Sequence, residues 1–213
     1  MTNEPTATPS KTSQIDADAR HRERMARKKA IQDARLARAT QEKGLIIVHT
    51  GTGKGKTTAA LGMVFRALGH GMRVAVVQFT KGARTSGEAA FARELAGRVD
   101  FFALGEGFTW ETQDRARDRA AAERAWAKAC ELMADPSYAL VVLDELNIVL
   151  RDDTLPLEVV LTALRQKRPE LHVVVTGRSA RPELIEMADL VTEMKLVKHP
   201  FRAGVKAQPG VDF

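Results

Sequence analysis

Residues 50–58 read Thr-Gly-Thr-Gly-Lys-Gly-Lys-Thr-Thr, the part of the chain best equipped for chemistry. Glycines at 51, 53 and 55 let the backbone turn tightly and present several N–H groups to one anion. Lys56 adds a point charge suited to phosphate, and a threonine hydroxyl at 57 or 58 can bind Mg²⁺. The apolar run Leu45-Ile46-Ile47-Val48 precedes the turn, and Ala59-Ala60-Leu61 continue it as a helix. Strand, glycine loop and helix are the setting of a phosphate-binding loop, to which the new helix adds its positive end. One position departs from the G-x-x-x-x-G-K-[ST] spacing, because Thr50 stands where its first glycine would be. The alternative is a flexible glycine turn that binds nothing. Gly-Lys-Thr-Thr at a strand-to-helix junction argues against it.

A second candidate lies at Leu140-Val141-Val142-Leu143-Asp144-Glu145, an apolar strand ending in two acids. Opposite a phosphate loop, such carboxylates hold Mg²⁺ directly or through water. Spacing leaves open whether Asp144 or Glu145 touches the metal. Arg178 follows the run Leu171–Val175, where it either reaches a phosphate or ligand carboxylate or lies free on the surface. The chain has 8 Phe, 2 Trp and 1 Tyr, and Phe101, Phe102, Phe108 and Trp110 fall close together. Phe108 and Trp110 sit in the glycine-flanked loop 105–110, where they either stack on a flat ligand or pack the loop itself. The histidines at 21, 49, 70, 172 and 199 lack metal-ligand spacing, and no Ser-His-Asp or Cys-His arrangement is present.

The elements that must position these residues alternate strand and helix. After the loop helix, strands are expected at 73–79, 99–104, 139–143, 171–175 and 190–196, with helices at 113–134, 155–168 and 181–188. In the 113–134 helix Trp126, Ala129, Cys130 and Met133 share one face and read as core. The fold class is therefore α/β, a mostly parallel sheet with helices on both faces. Ligands of such sheets lie beyond the carboxyl ends of the strands, where the glycine loop, residues 78–82, Asp144-Glu145 and 176–178 all fall. Ahead of this body, residues 1–15 are rich in Thr, Ser and Pro and read as a disordered leader. Residues 16–43 lack Gly and Pro and read as a helical extension, docked on the body or on a second subunit, or else solvated.

At 213 residues the chain fits one domain plus an appendage, with 44% hydrophobic residues for a core. No apolar run approaches a membrane span, and no signal-peptide core is apparent. A single cysteine, Cys130, excludes an internal disulfide. The expectation is a cytoplasmic protein without membrane partners. Net charge is +6, but residues 1–43 hold ten basic and six acidic side chains and so carry +4 of it. The near-neutral body argues against nucleic acid as a partner.

The segments TGTGKGKTTAALG, VVQFTKG, GEGFTWETQD, LDELNIVL, LPLEVVLTAL, VVVTGR and VKHPFRAGVKAQPGVDF together resemble the P-loop type corrinoid adenosyltransferases. The resemblance runs from about Arg20 to Phe213; GFTW and the tail are more specific than the phosphate loop. It implies a P-loop NTPase fold of RecA-like type. It implies transfer of the 5′-deoxyadenosyl group of ATP to the Co(I) centre of cobalamin or cob(I)yrinic acid a,c-diamide, with release of triphosphate. By the same resemblance Thr52, Gly53, Lys54, Gly55, Lys56, Thr57 and Thr58 bind the triphosphate, and Gly51 joins them from its place in the glycine loop. The resemblance gives Thr57 and Glu145 as the contacts of Mg²⁺ or Mn²⁺ and turns Phe108 and Trp110 to the corrinoid; Asp144, beside Glu145, and Arg178 join the metal and nucleotide sets from their places at the strand ends. Lys56, Phe108 and Trp110 are the catalytic set. It further implies a homodimer, an electron-donating flavoprotein reductase, and an N-terminal segment that helps cover the site. Thr52 stands where the family often has Asn. Two other classes share the loop: a small-molecule kinase, with Arg178 and Arg181 as phosphate clamps, and an ATP-hydrolysing switch.

Overall fold

The computed structural model describes residues 11–80, 86–95, 97–105 and 114–211. Two compact units are present, residues 1–42 and 43–213. The first holds one helix, α1 (Lys11–Arg38). It begins inside the stretch read as leader and stops short of residue 43. Lys11 to Arg38 contains no Gly or Pro, so nothing interrupts the hydrogen-bonded turns, and Arg35 and Arg38 complement the negative end of the helix.

The second unit is a six-stranded sheet with every pairing parallel, in the order β3-β2-β4-β5-β1-β6. Its strands are β1 (Ile46–Thr50), β2 (Val74–Gln78), β3 (Val99–Ala103), β4 (Leu140–Asp144), β5 (His172–Thr176) and β6 (Leu190–Glu193). The helices of this unit are α2 (Lys56–Gly69), α3 (Gly87–Glu94), α4 (Arg115–Ala134), α5 (Leu146–Arg151), α6 (Leu157–Arg165) and α7 (Pro182–Met187). Alternation along each strand sends its side chains to two separate cores. Ile47, Val76, Val142 and Val174 pack with Ala60, Val64 and Ala92 of α2 and α3. Val48, Val77, Leu143 and Val175 pack with Trp126, Leu150, Leu161 and Leu184 of α4 to α7. Both faces are thus covered, and the α/β architecture expected from the alternating pattern is the one observed.

Several bounds shift for local reasons. Helix α2 starts at Lys56, earlier than Ala59, because Gly55 at φ 104° turns the chain straight into it. Helix α4 starts at Arg115, where Asp114 accepts from the N–H groups of Ala116 and Arg117, both at 3.1 Å. Helix α6 is shorter than expected, with Pro156 at its entry. Helix α5, directly after Glu145, was not expected at all; its sequence LNIVLR carries too short a period to be read. In α4, Trp126, Ala129 and Met133 are buried and Cys130 is half-buried beside them. Among the described residues, no helix is long and apolar enough to cross a membrane.

Candidate active site at the carboxyl edge of the sheet

The loop between β1 and α2 is pinned from behind. The Gly53 N–H donates to the Met194 carbonyl at 2.6 Å, and the Met194 N–H donates to the Thr50 carbonyl at 2.9 Å. A Cβ on Gly51 would fall 2.4 Å from the Met194 oxygen, and one on Gly53 would fall 2.7 Å from the Lys195 oxygen. These glycines therefore serve close backbone approach. Gly51, at φ 96°, adds a conformation that side chains disfavour.

Lys56 is buried, and its Nζ donates to the carbonyls of Gly51 at 3.0 Å and Gly53 at 2.6 Å. Burial pulls its ammonium below the ordinary lysine value, Glu145 and Asp144 oppose that shift, and Arg178 adds to it. The next residue, Thr57, donates from Oγ1 to Asp144 Oδ1 at 2.8 Å. That bond joins the first turn of α2 to the end of β4.

Asp144 is fully buried and fully engaged. Besides Thr57, it accepts from Gln78 Nε2 at 2.9 Å and from Thr176 Oγ1 at 2.7 Å. The register that aligns Gln78 with Asp144 brings the first of these donors beside it. Thr176 also accepts from the Glu145 N–H at 2.9 Å. Glu145 takes φ 63°, a left-handed conformation unusual for this residue, and opens α5. The turn separates the two acids: Asp144 lies within the sheet edge, whereas Glu145 lines the open cavity.

That cavity, of about 490 Å³, is lined by Lys54, Lys56, Thr57, Thr58, Glu145 and Arg178 together with the loop glycines 53 and 55. Its volume lies in the range of small-molecule sites. Residues near both phosphate and acid motifs in the sequence thus converge on one space. Arg178 is at the cavity, whereas Arg181 pairs with Asp153 at 2.6 Å. Gly87 and Glu88 of α3 and Gly210 and Val211 of the tail also line it, and sequence reasoning did not single them out. For Glu88, the Gly-Glu pair after the second strand was the available signal; the tail carried only its resemblance. Phe108, Trp110, Lys81 and Gly82 lie outside the described residues.

The donor set fits a hard divalent cation. The Thr57 hydroxyl and the Glu145 carboxylate offer hard oxygen donors on the wall of the cavity, and Thr57 is bonded to Asp144. Among the described residues, no cluster of three or more His, Cys, Asp or Glu could hold a metal alone. An ion here would take its remaining ligands from water and phosphate, as Mg²⁺ does.

The comparisons with known proteins agree on one family. Residues 42–213 match the model described as ATP:corrinoid adenosyltransferase BtuR/CobO/CobP. Residues 9–36 match the model of the cob(I)alamin adenosyltransferase N terminal. A corrinoid adenosyltransferase of Pseudomonas aeruginosa is 58% identical over 93% of this chain and 98% of its own length. One of Escherichia coli K12 is 46% identical over 92% of this chain and 100% of its own. The corrinoid adenosyltransferase CobA of Salmonella typhimurium is likewise 46% identical, over 92% and 100%. The chain therefore belongs to the ATP:corrinoid adenosyltransferases, transferases that pass the adenosyl group of ATP to a corrinoid.

Proposed function

We propose that the cavity at the carboxyl edge binds the triphosphate of ATP so that the 5′ carbon, rather than the terminal phosphate, faces the second substrate. The Co(I) centre of the corrinoid supplies an electron pair to C5′. The C5′–O bond breaks, its electrons leave on the triphosphate, and cobalt becomes formally Co(III). The nucleophile belongs to the substrate, so the protein need only bind, orient and stabilise charge.

The observation that carries this reading is the cavity lined by Lys54, Lys56 and Arg178, in whose wall Thr57 bonds Asp144 at 2.8 Å. The Lys56 ammonium holds the carbonyls of Gly51 and Gly53 in this state. On arrival of triphosphate it turns its charge to the leaving group, together with the loop N–H groups and Arg178. Mg²⁺, when bound, would neutralise developing charge on the departing triphosphate. Thr57 and Glu145 would hold it, and Asp144 would orient Thr57. Phe108 and Trp110 belong to the corrinoid side of the site, where they crowd the lower face of the corrin, displace its axial ligand and ease reduction of Co(II). By the family resemblance the protein is a homodimer whose N-terminal segment supports use of the corrinoid, and an electron-donating flavoprotein reductase delivers the electron. The setting is the cytoplasm, in cobalamin synthesis or salvage.

The test is product identity. Incubated with ATP, Mg²⁺ and a chemically reduced corrinoid, the protein should release triphosphate and form a light-sensitive cobalt–carbon bond. ADP and inorganic phosphate as the products would instead mark a kinase or a hydrolase.

A further inference from the structure

We infer that Glu88 selects the sugar of the nucleotide: its carboxylate accepts hydrogen bonds from the ribose hydroxyls. The inference rests on the triphosphate site described under the proposed function. Glu88 lies in the first turn of α3, whose start is fixed by Ser86 Oγ accepting from the Ala89 N–H at 3.2 Å. It lines the phosphate cavity with Lys56, Thr57 and Arg178. Among the described residues, its enclosed Oε2 has no hydrogen-bond partner. A carboxylate oxygen withdrawn from water without a donor is costly, and a ligand that brings a donor relieves the cost.

Charge decides which part of ATP that is. The cavity's cations are Lys54, Lys56 and Arg178, and the triphosphate belongs beside them. Phosphate next to Glu88 would be repelled. The uncharged, donor-bearing part of ATP nearest the phosphates is the ribose. A carboxylate against ribose hydroxyls is an established form of nucleotide recognition. Leu61 and Glu88 also line a second, apolar cavity of about 200 Å³ between α2 and α3. Glu88 thus marks the junction of a polar and an apolar wall, as a group between phosphate and base must.

The experiment uses the full-length protein with a chemically reduced Co(I) corrinoid and measures triphosphate release. The kcat/KM is compared for ATP, 2′-deoxy-ATP, 3′-deoxy-ATP and inosine triphosphate, which lacks the 6-amino group. The wild-type protein should favour ATP over a deoxy analogue by roughly ten- to a hundredfold. In Glu88→Ala that ratio should fall close to one, and Glu88→Gln should retain part of it. An equal loss on ATP and on both deoxy analogues would overturn the assignment in favour of a structural role. Collapse of the inosine ratio alone would overturn it in favour of contact with the base. Should the Ala variant melt below assay temperature, the Gln variant carries the same comparison. A wild-type protein that makes no triphosphate from ATP would sink the underlying reading and this inference with it. An active wild type whose ratio is unmoved in the variants sinks the Glu88 assignment alone.

Discussion

At the scale of single residues, Lys56 and His49 are both buried but differ in what their burial serves. Lys56 has the carbonyls of Gly51 and Gly53 as partners, and the proposed function gives it the triphosphate in the bound state. Lys56→Ala should remove a charge-assisted contact of about 2–3 kcal/mol. The Kd for ATP should rise by roughly 30- to 150-fold, and turnover should be lost; calorimetric titration and triphosphate release measure the two. Near-normal ATP affinity would refute the role given to this residue. His49 is also buried, yet among the described residues neither ring nitrogen has a partner, and burial lowers its pKa from 6.5. The unfolded chain takes up this proton as pH falls through about 6.5, while the folded chain resists it until its own lower pKa is reached. Stability should therefore fall with pH across that interval. His49→Phe should flatten that slope in urea unfolding compared between pH 8 and pH 5.5, and the exchange sacrifices no hydrogen bond. Some slope should remain, because burial and nearby Lys167 also lower the pKa of His172. An unchanged slope in the variant would show that His49 is protonated equally in both states.

At the scale of elements, the site depends on a clasp between the turn after β4 and the turn after β5. Thr176 bonds to both Asp144 and Glu145, and Asn147 Nδ2 donates to the Gly177 carbonyl at 3.0 Å. Gly177 has φ 127°, and a Cβ there would meet Asn147 Cβ at 2.8 Å and Glu145 Oε2 at 3.1 Å. Gly177→Ala should cost about 1–3 kcal/mol through the strained backbone, and should also lower kcat by shifting Glu145 and Arg178. Gly62, inside α2 with nothing within 4 Å of its would-be Cβ, is the control. Gly62→Ala should stabilise the fold by about 0.5–1 kcal/mol. Thermal melts and rates on the two variants check the contrast; loss of stability in both would remove the argument for the clasp. This is also where legibility in the sequence ends. Lys56, Thr57 and Asp144 were readable because each sits in a signature within a single strand–loop or strand end. The bonds from Gln78 and Thr176 to Asp144 were not, because they cross strands whose register no local pattern reveals. The division of labour between Asp144 and Glu145 arises from one left-handed φ, which spacing does not encode. The strand order was equally invisible, since parallel strands joined by helices carry similar apolar runs in any order.

At the scale of the whole molecule, the distribution of charge and the division into units bear on the N-terminal segment. Residues 1–43 carry +4 of the net +6, yet they also include Met25, Ile31 and Leu36, which a purely solvated helix does not require. The compact units divide between Glu42 and Lys43, and the adenosyltransferase N-terminal model matches residues 9–36 separately from the body. Among the described residues, both apolar cores of the sheet draw on residues from 45 onward. Deleting residues 1–40 should therefore leave the sheet folded, with circular dichroism and cooperative melting retained. The KM for the corrinoid should rise, while the affinity for ATP, which the proposed function assigns to the loop at 51–58, should change little. Light scattering on the two forms tests whether the segment also holds the proposed homodimer together. The rival reading takes the basic leader as a nucleic-acid arm. It requires the intact protein to bind random duplex DNA with an affinity that falls steeply as salt rises, and the truncated protein to lose that binding. Unchanged corrinoid kinetics in the truncated protein, together with salt-sensitive DNA binding in the intact one, would reassign the segment from corrinoid use to a nucleic-acid partner.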